Sequence, residues 1–167
     1  MPYYFVRDNQ FVSAPQPPAG AQRIAQLGDK LQPPLITALH QSLHKWSELG
    51  KRPGLLTPDR VWVTENGTLI VYFEEGQAPY PLLHVGMGPD MATWFVLLDK
   101  WMETFVIVAR ARTVWTPNEL ATAMIFVNPL WMPKSLVALP PNNWARVVKA
   151  LAMAVADRPL QGATAAP

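Results

Sequence analysis

The chain has 167 residues and a mass of 18.6 kDa, enough for one domain with a core of its own. It has no cysteine, which excludes disulfide frameworks, thiol nucleophiles and cysteine-zinc sites. Half of it is hydrophobic, only 16% is charged and the net charge is +2, so neither a wholly disordered chain nor a nucleic-acid binder is expected.

Residues 1–12 read as a short N-terminal strand or arm. Tyr3-Tyr4-Phe5-Val6 is aromatic and β-branched, Arg7-Asp8-Asn9-Gln10 is turn-like, and Phe11-Val12 follows. Residues 13–32 read as a Pro-rich linker, because Pro15, Pro17 and Pro18 fix φ and remove donors. Such an arm either folds back on the body or reaches a partner. The N-terminus has no basic region before an apolar core, so no secretory signal is expected. A single α+β domain is expected over 33–160, with a flexible tail over 161–167.

Pro33-Pro34 opens a helix whose Leu35, Leu39, Leu43 and Trp46 share one face, and Gly50 ends it. Val61-Trp62-Val63, a Glu65-Asn66-Gly67 turn and Leu69 to Phe73 form a β-hairpin. Residues 76–89 form a Gly- and Pro-rich loop. An apolar helix is expected from Asp90 to about Arg112, with Asp90 as its cap and Arg110 and Arg112 suiting its C-terminal dipole. Asp99, Lys100 and Glu103 interrupt its apolar run, and each would cost roughly 2–3 kcal/mol inside a bilayer. The helix therefore belongs to a soluble domain with no transmembrane span. A cytoplasmic location is the expectation, and the sequence leaves room for peripheral membrane contact. Thr116-Pro117-Asn118-Glu119 is a capping box that starts a short helix, which Asn128-Pro129 and Pro133 break. A last helix runs from Trp144 to Asp157, stopped by Arg158-Pro159.

The stretch from Leu43 to Phe73, LHKWSELGKRPGLLTPDRVWVTENGTLIVYF, resembles the C-terminal lobe of the protein-kinase-like fold. There an amphipathic helix leads into a catalytic loop and a hairpin ending in Asp-Phe-Gly. Gly54 to Val61 occupies the place of that loop, and Asp90-Met91-Ala92-Thr93-Trp94 resembles the start of the family's central buried helix. The resemblance covers roughly residues 33–160 and implies a mainly helical α+β fold with one hairpin. It also implies a non-catalytic relative. The catalytic Asp position reads Leu55, the metal-binding Asn position reads Arg60, and the Asp-Phe-Gly position reads Tyr72-Phe73-Glu74. Phosphoryl transfer requires that base, those metal ligands and a phosphate cradle. Only residues 1–32 precede the first helix, which leaves no room for a nucleotide-binding lobe.

Other candidates for chemistry have plain alternatives. His40 and His44 lie one turn apart, with His84 as a third nitrogen, yet no Glu follows His40 as a zinc-protease helix needs. Asp99 and Glu103 either act as an acid–base pair or are neutralised by Lys100 and nearby arginines. Glu74 and Glu75 are adjacent on a strand end and point to opposite faces, and Gly86-Met87-Gly88 reads as a turn. No catalytic residue, metal site or cofactor is assigned. Aromatic and Met residues in Pro-punctuated segments either fill gaps between helices or form an interface. The segment Met124 to Leu139 has one charged residue, Lys134, and two prolines. A patch that apolar is core or a docking surface.

The sequence thus predicts a non-enzymatic interaction protein: an adaptor, assembly factor or regulatory subunit of a larger bacterial cytoplasmic or membrane-associated complex. Its partner is another protein or a second copy. The expected partner-binding residues are Trp115, Phe126, Leu130, Trp131 and Met132, with Tyr3, Tyr4 and Phe5 on the arm. The alternative is a small metal- or nucleotide-binding, pseudokinase-like domain.

Overall fold

The computed structural model describes residues 2–157. Its strands are β1 (Tyr3–Arg7), β2 (Gln10–Ala14), β3 (Gln22–Arg23), β4 (Lys51–Arg52), β5 (Val61–Val63), β6 (Leu69–Tyr72) and β7 (Tyr80–Pro81). Its helices are α1 (Ile24–Leu27), α2 (Pro33–Glu48), α3 (Gly88–Leu98), α4 (Thr104–Ala111), α5 (Pro117–Ile125), α6 (Lys134–Val137) and α7 (Trp144–Val155). The fold is α+β, but the expected single hairpin is part of something larger. Five antiparallel strands pair in the order β2-β1-β6-β5-β3, and β4 pairs separately with β7.

The expected arm is the first half of that sheet. Asp8 and Asn9, at φ 51° and 59°, make the tight turn that suits the twist of a two-residue hairpin, so Phe5 pairs with Val12. Tyr3 and Tyr4 then pair with Tyr72 and Val71 of β6. The expected linker over 13–32 is likewise built in. It crosses from the β2 edge to β3 at the opposite edge, then forms α1 and a 3-10 turn, and it buries Ile24 and Leu31.

Helix α2 joins sheet to helices. Ile36, Leu39, His40, Leu43 and Trp46 are buried on it, and Gly50 ends it at φ 75°. It lies against β1 and β6 on one side and α4 on the other. The β5–β6 turn is pressed onto it. Gly67 has φ 86°, and a Cβ there would stand 2.4 Å from the Cβ of Ala38, so only glycine fits. Ser42 Oγ also accepts the N–H of Leu69 at 2.9 Å.

The long helix expected from Asp90 to Arg112 is two helices. Helix α3 ends at Leu98, and α4 restarts at Thr104, where the Glu103 carboxylate accepts the N–H groups of Phe105 (2.7 Å) and Val106 (3.3 Å) as an N-cap. The charges that interrupt the apolar run therefore mark a break. Every residue from Met91 to Leu98 is buried, as expected for a central helix. The capping box at Thr116 and Glu119 forms as expected. Helix α7 buries Val147, Ala150, Leu151 and Ala154 against α4 and α5. The stop at Arg158-Pro159 and the tail from 161 lie outside the described residues.

Of the expected partner-binding residues, Trp115, Met132 and Phe5 are core, at 3%, 8% and 2% exposure. Trp115 sits edge-on to His40, with centroids 5.0 Å apart, and against Phe95 at 5.9 Å. Strand alternation puts Phe5 on the sheet face away from the main hydrophobic cluster, where it is buried with the Arg7 guanidinium over its ring, while Tyr4 and Val6 are partly covered and pack against that cluster. Tyr3 is half-buried between Trp62 and Tyr72, and Tyr4 packs edge-on to Phe73. No helix among the described residues is long and apolar enough to cross a membrane.

Candidate functional site: an anchored loop and an apolar cleft

The loop from Arg52 to Arg60 connects β4 to β5, and side chains from α3 hold it. Asp90 was expected to cap α3. Its carboxylate instead turns into the body, where it accepts from Arg52 Nη1 at 2.7 Å and from the Gly54 N–H at 2.8 Å. One turn on, Thr93 Oγ1 accepts the Leu56 N–H at 2.9 Å while donating to the Asp90 carbonyl at 2.8 Å. Burial pushes the Asp90 carboxyl up to about 6, against the pull of Arg52 and the Gly54 N–H.

Arg60 holds the other end. Its guanidinium donates to the carbonyls of Tyr72 (3.0 Å), Pro53 (2.9 Å) and Leu55, and it lies over the Phe73 ring. Burial pulls its pKa down. A cation thus ties together the loop and β6. Gly54, at φ 82°, leaves room for Tyr80, whose ring would come within 2.8 Å of a Cβ there. Tyr80 in turn carries the Arg52 guanidinium over its face, 5.3 Å from the centroid.

Above this loop opens a cleft of about 660 Å³. Leu55, Leu83, Pro89, Tyr80, Phe126 and Trp131 supply its apolar lining, and Asp59, Glu74, Gln77 and Tyr72 its polar lining. Local chemistry sets the apolar wall. Asn128 Oδ1 accepts the Leu130 N–H at 2.9 Å and starts a 3-10 turn over Pro129–Trp131. Pro129 cannot continue the preceding helix, and buried Met132 anchors the far end. The turn leaves Leu130 95% exposed and Trp131 57% exposed, with Trp131 edge-on to Phe126 at 5.3 Å. Gly88 lets Phe126 approach the first turn of α3, since a Cβ there would meet Thr122 at 2.8 Å.

The remaining candidates separate. Phe126 and Trp131 line the cleft, Leu130 projects into solvent next to Trp131, and Tyr3, Tyr4 and Phe5 do not line it. His40 is fully buried and uses both ring nitrogens, Nε2 toward the Ile107 carbonyl at 2.9 Å and Nδ1 accepting from Trp94 Nε1 at 3.0 Å. Burial pulls its pKa down to about 4, so it stays neutral and ties α2 to α3 and α4. His44 pairs with Glu48 at 3.0 Å, and His84 is exposed on a loop. No group of three His, Cys, Asp or Glu among the described residues could hold a metal ion. Asp99 is occupied by Thr104 and Asn143, and Glu103 caps α4 and pairs with Arg146. They form struts between α3, α4 and the start of α7.

Sequence reasoning singled out the aromatic wall but gave no role to Asp90 beyond a cap, or to Arg52 at all. Arg52 and Asp90 are 38 positions apart, and no periodic pattern links them. Comparison of the chain with protein-family models, with curated proteins and with solved structures finds no match.

Proposed function

We propose that this protein is a non-enzymatic interaction module, working as an adaptor, assembly factor or regulatory subunit, and that it captures a partner protein at the cleft beside Leu130 and Trp131. One observation carries the reading. Among the described residues, the large hydrophobic side chains left exposed are Leu55, Leu83, Val85, Ile125, Leu130, Trp131 and Val137. Leu55, Leu83 and Trp131 line the one cleft, and Ile125 and Leu130 are chain neighbours of its Phe126 and Trp131. A clustered apolar rim around a concave surface is what a docking site presents. An exposed Trp at the centre of such a patch is the side chain best suited to anchor a partner. The loop beneath supports this, because its two arginines hold backbone and a buried carboxylate in place.

A second reading, a degenerate kinase-like C-terminal lobe that binds a nucleotide or metal, is favoured by the anchoring of the Arg52–Arg60 loop on a helix buried at every position but Pro89. It is weakened by Leu55 and Arg60, which stand where that chemistry would need a carboxylate and an amide.

A photoreactive side chain at position 130, in the chain expressed in its native host, tests the first reading. A discrete protein adduct is expected from position 130, absent from the exposed control position Lys149 on α7 and lost in Trp131→Ala. Equal labelling from both positions, or labelling indifferent to Trp131→Ala, overturns it. Protection of the chain against thermal unfolding by ATP with magnesium would favour the second reading.

A further inference from the structure

The charges of the cleft point to the chemistry of its occupant. Its two guanidinium groups are already engaged, Arg52 with Asp90 and Arg60 with three backbone carbonyls. The Nε of Arg52 has no partner, but it is buried out of reach of solvent. The two carboxylates that line the cleft are placed differently. Asp59 and Glu74 are both exposed, and neither carboxylate has a hydrogen bond or a close ion pair among the described residues, although both act on the Arg60 charge from a distance. The lining carries two carboxylates and two guanidinium groups, but the carboxylates are the exposed pair: Arg52 is matched by the buried Asp90, and Arg60 spends its donors on backbone carbonyls. The same cleft offers the exposed Trp131 indole and the apolar side chains of Leu55 and Leu83. Carboxylates attract a cation by charge and an indole attracts it by its quadrupole, while the leucines suit an aliphatic or aromatic side chain.

We infer that the cleft takes a protein segment in which a large apolar side chain stands beside arginine or lysine. This rests on the reading of the cleft as a docking site. An anionic segment fits poorly, since it would meet the exposed Asp59 and Glu74, while Arg52 is paired with Asp90 and Arg60 is bound to backbone carbonyls.

Fluorescence anisotropy with the full chain and labelled synthetic peptides tests the inference. Three peptides share one Leu-Trp anchor and differ in the flanking residues, which are Arg, Gln or Glu. The Arg peptide is expected to bind about tenfold more tightly than the Gln peptide, with the Glu peptide weakest and the preference shrinking as salt is raised. Asp59→Asn with Glu74→Gln should erase the preference among the three peptides. Both side chains are exposed, so circular dichroism should not move. Equal binding of the Arg and Gln peptides, lost for both in Trp131→Ala, overturns the charge assignment and leaves the docking reading standing. Binding that ignores Trp131→Ala overturns both. No binding of any peptide at millimolar concentration overturns the inference, as does a dimer, seen by sedimentation, that Trp131→Ala disperses and that assigns the cleft to a second copy.

Discussion

Tyr3-Tyr4-Phe5 and the segment from Phe126 to Met132 begin with similar side chains and end in opposite places. The first follows a strand period, finds β2 and β6 as neighbours, and loses its apolar surface to the sheet. The second is cut by Pro129 and Pro133, cannot join a ladder or a long helix, and projects Leu130 and Trp131 from a short turn. Apolar composition alone does not separate the two. What separates them is whether the backbone can satisfy its own hydrogen bonds in a regular element, because only then do its side chains have a fixed inner face.

The contrast is broken most forcefully from the buried side. Phe5→Ala and Trp115→Ala should each cost about 3–5 kcal/mol in equilibrium urea unfolding, the range for emptying a large aromatic site in a core. A change under about 1 kcal/mol at Phe5 would mean that the N-terminal hairpin is an arm after all.

The anchored loop comes next. Asp90→Ala leaves the Arg52 guanidinium and the Gly54 N–H without their acceptor in a largely buried place and should cost about 2–3 kcal/mol. Backbone amide exchange at Gly54 and Leu56 should speed up, since the loop loses its tie to α3.

Acid sharpens the same comparison through two groups of opposite sign. His40 falls from 6.5 to about 4 on folding, so its contribution to stability is full above pH 6.5 and is lost as pH falls toward 4. Asp90 rises from 3.8 to about 6, so its contribution is full below pH 3.8 and is lost as pH rises through 6. In the native chain the two slopes oppose each other between pH 4 and 6. Asp90→Asn removes one of them, and between pH 6.5 and 5 the variant should lose about 2 kcal/mol, against less than about 1 kcal/mol for the native chain. Urea midpoints across that range read the difference.

The smallest effect on folding belongs to the cleft rim. Trp131→Ala and Leu130→Ser should shift stability by no more than about 0.5 kcal/mol, because neither side chain is buried, while abolishing partner capture. Lost helicity in Trp131→Ala would move Trp131 into the core and erase the contrast.

Much of the fold was legible from local chemistry. The Pro33 helix start and the Gly50 stop, the Asn66-Gly67 turn and the Thr116–Glu119 box all form where the residues place them. The break between Leu98 and Thr104 was hidden, because Glu103 reads equally well as a helix charge or a cap. The aromatics Trp115 and Phe5 were misplaced because burial depends on what packs across from them, and those partners are His40 and Phe95 for one and the sheet for the other. At the site, Phe126, Leu130 and Trp131 stood out as an apolar stretch with prolines. Arg52, Arg60 and Asp90 did not, since their meeting depends on tertiary closure of the loop onto α3.

The proline-rich crossing from β2 to β3 has one more consequence. It joins the two outer edges of a single sheet, so it is the covalent tie between the N-terminal hairpin and everything after it. A protease cut between Pro15 and Gly20 would leave two pieces whose interface is the β1–β6 seam and the packing of Phe5. That stretch is a place to divide the chain into co-expressed halves, and the readiness of the halves to reassemble would measure the strength of the seam itself.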